Sequence, residues 1–254
     1  MTAGVVGRAR GLILPLALVV LWQALASIRG IESDTLAAPV QIVGALGDAL
    51  VNAEFWIATR DTVLSAALGL ALGGVLGAMT GLVFGLVPPV SRLMRVPVEV
   101  LRPVPAIALV PIAILIFGFG YALEVAIVAF AVFFPVLILI EAAVRGVEPR
   151  LTEVARLLRL SPGARIAKIV VPAVLPRAFV ALRLAAGLAL VVAITVEIAA
   201  NPMGLGARMI LAAQSLRAPD MFATLIWVAV LGWAINAGLV RAQAALFPDA
   251  QRPR

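Results

Sequence analysis

The chain has 254 residues, 63% of them apolar and 13% charged, with a mean hydropathy of +1.14. A soluble domain carries roughly 45–50% apolar and about 25% charged residues, and a 26.4 kDa globule could not cover this much hydrocarbon with so few polar groups. That excludes a cytosolic enzyme, and the absence of histidine and cysteine excludes zinc and iron–sulfur sites, disulfides and Ser/His or Cys/His dyads.

Apolar stretches fit to approach or cross a core of about 30 Å lie near Gly11–Ile28, Thr62–Val87, Val104–Phe119, Ala122–Ile140, Ala178–Ala200 and Met221–Val240. They are too long and too evenly apolar for barrel strands, and lipid satisfies no backbone group. The expectation is an all-α membrane protein, one domain over residues 1–254, with about six transmembrane helices. The first stretch, with Arg8, Arg10 and Ala24-Leu25-Ala26, also has the form of a secretory signal. We read it as an uncleaved helix, and either way residue 30 onward emerges on the far side.

In the second stretch Gly69, Gly73, Gly77, Gly81 and Gly85 form a four-residue stripe, fit for close helix packing or for a sliding seam between copies. In the third, Pro103, Pro105 and Pro111 each remove a helical donor, which marks either a kink or a broken span along a wet pathway. Between the fourth and fifth, residues 141–177 interrupt the membrane pattern. There Leu151, Val154, Ala155 and Leu158 recur at helical spacing while Arg156 and Arg159 point elsewhere, which predicts a short amphipathic helix. Ser161-Pro162 supplies an N-cap and an N1 proline for a second short helix that should stop before Pro172. This helix pair reads as a headgroup-lying surface element or as a docking ridge for a soluble partner.

Ionisable residues at depth need a partner or a cavity. Glu197, followed by Asn201-Pro202, could line a path or snorkel to the interface, and Glu124 beside Tyr121 is expected at the interface. Arg102 and Arg183 suit contact with an anionic cargo or with headgroups. Of the twenty basic residues only Arg29, Arg60, Arg208 and Arg217 fall on the face that also holds Glu32, Asp34, Asp48, Glu54, Asp61 and Asp220. The positive-inside rule then places both termini in the cytoplasm, and the pI of 11.4 reflects topology rather than nucleic-acid binding. The single lysine, Lys168, follows no glycine-rich phosphate loop, so the chain carries no nucleotide-hydrolysing motif of that kind.

Glu153-Val154-Ala155, Arg159 six residues after the Glu, and Ile169-Val170-Val171-Pro172 resemble the E-A-A, three, G, nine, I-x-L-P loop of ABC importer permeases, with Arg159 in the glycine position. With an arginine there, Ser161-Pro162-Gly163 is expected to make the turn. Leu101-Arg-Pro-Val-Pro-Ala-Ile-Ala-Leu-Val-Pro with Phe117-Gly-Phe-Gly, Val147-Glu-Pro-Arg-Leu, and Leu182-Arg-Leu-Ala-Ala-Gly with Glu197 downstream are similar to the nitrate/sulfonate/taurine branch, across residues 36–248. The resemblance implies a type I importer permease in a bacterial inner membrane, paired with a second copy and seated on two ATPase subunits that bind ATP and magnesium. An extracytoplasmic binding protein would deliver a small anionic solute. Glu153, Ala155, Arg156, Leu158, Arg159, Ser161 and Gly163 would dock the ATPase, and Glu197, Asn201, Arg102, Arg183, Pro105 and Pro111 are pathway candidates. No cofactor and no metal is expected in this chain. The rival readings are an ion-coupled secondary transporter, which would want inverted repeats and several midplane carboxylates, and a non-transporting membrane scaffold.

Overall fold

The computed structural model describes residues 3–29 and 37–248, and for residues 3–12, Arg29, Thr152 and Arg156 it describes the backbone alone. Glu32, Asp34, Arg252 and Arg254, which entered the charge sorting, lie outside the described residues. The fold is 88% helical, with no strand among the described residues.

The chain begins with α1 (Ala3–Arg29) and α2 (Pro39–Val51). Pro39 opens α2 at a position that needs no amide, and the Gln41 side chain reaches back to accept from the Ala38 N–H at 2.9 Å. Asn52 then caps the long helix α3 (Ala53–Leu86), its side chain accepting from the Glu54 N–H at 2.8 Å. A sharp corner leads into the amphipathic α4 (Pro88–Leu101), then a 3₁₀ turn over Ala106–Leu109 and the short α5 (Val110–Phe117). Gly118 and Gly120, both at positive φ, turn the chain into α6 (Tyr121–Arg145). The interspan loop holds α7 (Pro149–Leu157) and α8 (Pro162–Arg165), which passes through a π-helical segment (Ile166–Val170) into α9 (Val171–Ala199). α10 (Gly204–Gln214) and α11 (Ala218–Leu246) close the fold.

Three helices make the core, and each does so through a residue set spaced by four. The glycine stripe of α3 lies against α6: a methyl added at Gly77 would sit 2.6 Å from the Phe133 carbonyl, and one at Gly81 2.5 Å from that of Leu137. α6 answers with Val128, Val132, Val136 and Ile140, and α9 with Ala185, Ala189 and Ala193. Small residues matter here because lipid tails give no hydrophobic drive for helix association, so close van der Waals approach carries it. α5 packs Val110 and Ala113 on Leu123, Ile127 and Val196. α1 is nearly detached, held by Trp22 edge-on to Phe222 and by Gln23 Oε1 accepting from the Val40 N–H at 3.1 Å.

The structure refines the six expected spans to four, or five with one bent pair counted, and shorter apolar helices. Four helices are full-length spans: Ala53–Leu86, Tyr121–Arg145, Pro162–Ala199 and Ala218–Leu246. α1 is a 27-residue helix over the first stretch. The third stretch, Val104–Phe119, belongs to a bent pair: α4 and the Ala106–Phe117 segment meet at 82°, a broken span or a re-entrant loop, and the latter alone rises only about 18 Å. Pro103 and Pro105 make that corner, whereas Pro111 falls in the first turn of α5, where helices tolerate proline. The expected stop before Pro172 is overturned. The chain runs helically through Pro172 because the preceding turn is π-helical, with the Val171 N–H bonded to the Ile166 carbonyl, so the wider ladder absorbs the missing proline donor.

Candidate functional site

At the arginine-rich end, α7 and α8 form a knob. α7 ends in a Schellman arrangement: Arg159 adopts the left-handed φ of 49° and the Leu160 N–H reaches back to the Ala155 carbonyl at 3.0 Å. The turn is therefore made at Arg159, the position where the motif carries glycine, and not by Ser161-Pro162-Gly163. Ser161 instead caps α8, its Oγ accepting from the Ala164 N–H at 3.3 Å, and Gly163 stands in open space. Leu157 and Leu158 are 82% and 66% exposed, with Val154, Glu153 and Arg159 exposed around them. Ala155, expected on the docking face, is 2% exposed, so it contributes no surface to that face. The Arg156 backbone belongs to α7, and its side chain lies outside the described set.

Beside the knob end, Ser91 ties α4 to α6: its hydroxyl donates to Glu141 Oε1 at 2.7 Å and accepts from Arg145 at 2.8 Å. Arg145 also pairs with Glu141 at 2.7 Å. Next to this triad lies a cavity of about 280 Å³ bordered by Arg92, Arg95 and Arg102. Arg183 borders a separate cavity of about 230 Å³ between α9 and α11, with Asn236, and reaches Gln243 at 3.4 Å. The two arginines proposed from sequence as partners for a cargo anion thus line different spaces.

The opposite end holds a buried polar cluster. Asp61 accepts from Tyr121 Oη at 2.7 Å and from the neighbouring Arg60 at 2.9 Å. Asn201 accepts from the Gly120 N–H at 2.8 Å and donates to Glu124 Oε1, so one amide side chain ties the α5–α6 turn to the end of α9. Glu197 Oε2 accepts from the Gly206 N–H at 2.7 Å, and Thr62 Oγ1 from the Leu205 N–H at 2.9 Å. Glu124, at 2% exposure, is not interfacial as expected; Glu197 and Asn201 neither snorkel nor border the cavities above, both being buried inside the chain. Sequence reasoning missed Asp61, Thr62 and Tyr121; the available signal was Thr59, Thr62 and Ser65 on one face of α3 around an acid. Among the described residues no three acidic groups converge closely enough to hold a metal ion.

Above that cluster, α2, α10 and the start of α11 form a platform with a cavity of about 270 Å³. Arg208 stands 3.7 Å from Glu54 and over the Phe55 ring at 5.7 Å, and Arg217 is 3.4 Å from Asp220. These pairs are solvent-facing, so each contributes little to stability, typically about 0–1 kcal/mol.

Apolar helices long enough to span a bilayer, a helical knob at the basic end and a polar platform at the other make this a polytopic membrane protein of all-α type. The family described as "Binding-protein-dependent transport system inner membrane component" matches residues 73–252. The chain is 31% identical over 226 residues to the putative aliphatic sulfonates transport permease protein SsuC of Bacillus subtilis (strain 168), covering 89% of this chain and 82% of that protein. It is 25% identical over 236 residues to the taurine transport system permease protein TauC of Escherichia coli (strain K12), covering 91% and 86%. Its fold is similar to a chain of the inward-facing MetNI methionine ABC transporter, with a TM-score of 0.60 at 18% identity over 83% of this chain and 99% of that one. The chain belongs to the binding-protein-dependent transport system inner membrane component family.

Proposed function

We propose that the chain is the permease subunit of an ATP-driven importer that takes a small anionic solute of the sulfonate, taurine or nitrate kind from a binding protein. The observation that carries this reading is the knob: Leu157 and Leu158 stand exposed on a short helix beside arginines, on a loop continuous with a full-length span. An exposed apolar ridge of this kind asks for a protein groove. With no phosphate loop of its own, the chain would draw work from a partner ATPase that binds ATP and magnesium. The positive-inside rule puts the knob, the Arg92–Arg102 cavity and both termini in the cytoplasm, and the α2/α10/α11 platform outside, where a binding protein would dock. The loosely held apolar stretch of α1 over Ile13–Ile28 and the exposed apolar faces of α3 and α5 suit pairing with a second copy.

Reconstitution in proteoliposomes tests this. Uptake should require this chain, its ATPase, its binding protein and ATP together. Uptake by the chain alone on an ion gradient would establish secondary transport instead, and a chain that binds the ATPase yet moves nothing under any condition would establish a scaffold.

A further inference from the structure

α10 begins without a cap of its own. Met203 occupies the N-cap and supplies no side-chain acceptor, although a helix leaves its first amides unpaired. Two of those amides are answered from other helices: Leu205 N–H by Thr62 of α3, and Gly206 N–H by Glu197 of α9. Both acceptors are sealed from solvent, Thr62 at 0% and Glu197 at 1% exposure. The approach leaves no room for side chains, since a methyl at Gly206 would lie 2.5 Å from the Ile194 carbonyl and 2.7 Å from Glu197 Cβ. Gly204 turns into the helix at φ +87°, and the Glu197 carboxyl group occupies the space a side chain there would need. The second carboxylate oxygen, Oε1, has no hydrogen-bond partner. A buried acceptor left unpaired is costly, and here the carboxylate faces the positive end of the α10 dipole, which offsets part of that cost.

The helix that carries Glu197 runs unbroken from Pro162 to Ala199, 38 residues, or roughly 57 Å at about 1.5 Å per residue. One end continues from the knob, and the other ends two residues beyond Glu197. We propose that this helix is a lever whose far joint is the Glu197–Thr62 clamp on α10, so that movement of the knob is delivered to the α2/α10/α11 platform as one rigid displacement. Glu197 and Thr62 are positioning residues in this scheme; they touch no cargo. The inference rests on the reading of the knob as the ATPase-docking element.

The test uses the assembled transporter and, separately, the permease chain. In the assembly, Glu197→Ala should keep the ATPase bound and its basal hydrolysis intact, while uptake and the stimulation of hydrolysis by loaded binding protein fall by about tenfold or more, the scale of one lost buried hydrogen bond. Glu197→Gln retains an oxygen that accepts from the Gly206 N–H and should restore both. In the permease chain, which has no native cysteine, spin labels at the exposed Val191 of α9 and Leu211 of α10 should give one narrow distance. That distance should broaden in Glu197→Ala and in Thr62→Val and stay narrow in Glu197→Gln and Thr62→Ser. Full coupling with a narrow distance in Glu197→Ala overturns the proposal, as does a Glu197→Gln variant as uncoupled as the alanine. If Glu197→Ala does not accumulate, the Thr62→Val and Thr62→Ser pair decides by the same readouts. A wild-type chain that binds no ATPase overturns the functional reading, and the distance measurement still decides the joint.

Discussion

Gly77→Ala, set against Gly74→Ala one step along the same helix, measures how closely α3 and α6 approach. A methyl at Gly77 would stand 2.6 Å from the Phe133 carbonyl oxygen and 3.1 Å from Val136 Cβ, whereas one at Gly74 meets nothing within 4 Å. An ordinary C···O contact is near 3.3–3.6 Å, so the helices must part by about 0.7–1 Å to admit the Gly77 methyl. Overpacking of this kind costs about 1–3 kcal/mol. Both substitutions gain the same helix propensity, roughly 0.5–1 kcal/mol, so their difference isolates the steric effect. At about 2–4 °C per kcal/mol for a chain of this size, the two unfolding midpoints should separate by roughly 2–12 °C, Gly74→Ala above wild type and Gly77→Ala well below Gly74→Ala. Tryptophan fluorescence on heating in detergent reads both. Equal midpoints would refute backbone contact at that level of the bundle.

Arg159→Gly should raise the unfolding midpoint, because the left-handed conformation costs a non-glycine residue about 1–2 kcal/mol, and Arg159→Val should lower it. Leu157→Arg combined with Leu158→Arg should abolish co-purification of the ATPase, scored by pull-down, while leaving the midpoint near wild type, since both side chains are exposed. In the cysteine-free chain, Leu211→Cys should react with an impermeant thiol reagent added to intact cells and Leu157→Cys only after permeabilisation; the reverse pattern inverts the topology. Asn201→Ala should lower stability by about 2–4 kcal/mol, because the half-buried Gly120 N–H and the buried Glu124 side chain both lose their partner.

The spans and the knob were legible because each rests on local signals: apolar length for α3, α6, α9 and α11, and the Ser161-Pro162 cap for α8. Even the glycine stripe announced a close contact, although only the fold shows that its partner is α6. What sequence could not show depends on contacts between distant segments. Glu124 reads as interfacial when judged by its neighbour Tyr121, and only the arrival of Asn201 from 77 residues away makes it an interior group. α2 and α10 are too short and too mixed in composition to register as spans, and Pro172 reads as a stop unless the π turn before it is known. Arg159 misled for a related reason: the Schellman geometry is imposed by the whole turn, and the arginine tolerates a backbone state that glycine would adopt freely.

The clamp on α10 has a consequence for biosynthesis. Thr62 and Leu205, which it joins, are 143 residues apart. At a ribosomal pace of about 5–20 residues per second, Thr62 waits roughly 7–30 s for its partner to be made. During that interval α6 and then α9 are made, so Tyr121 is available to Asp61 early, and the Thr62 and Ser65 hydroxyls bond back to carbonyls of α3 itself; what is missing is the pair of α10 amides that Thr62 and Glu197 receive. The polar cluster therefore lacks its α10 members until the last fifth of the chain arrives, and its closure marks the completion of assembly rather than its start.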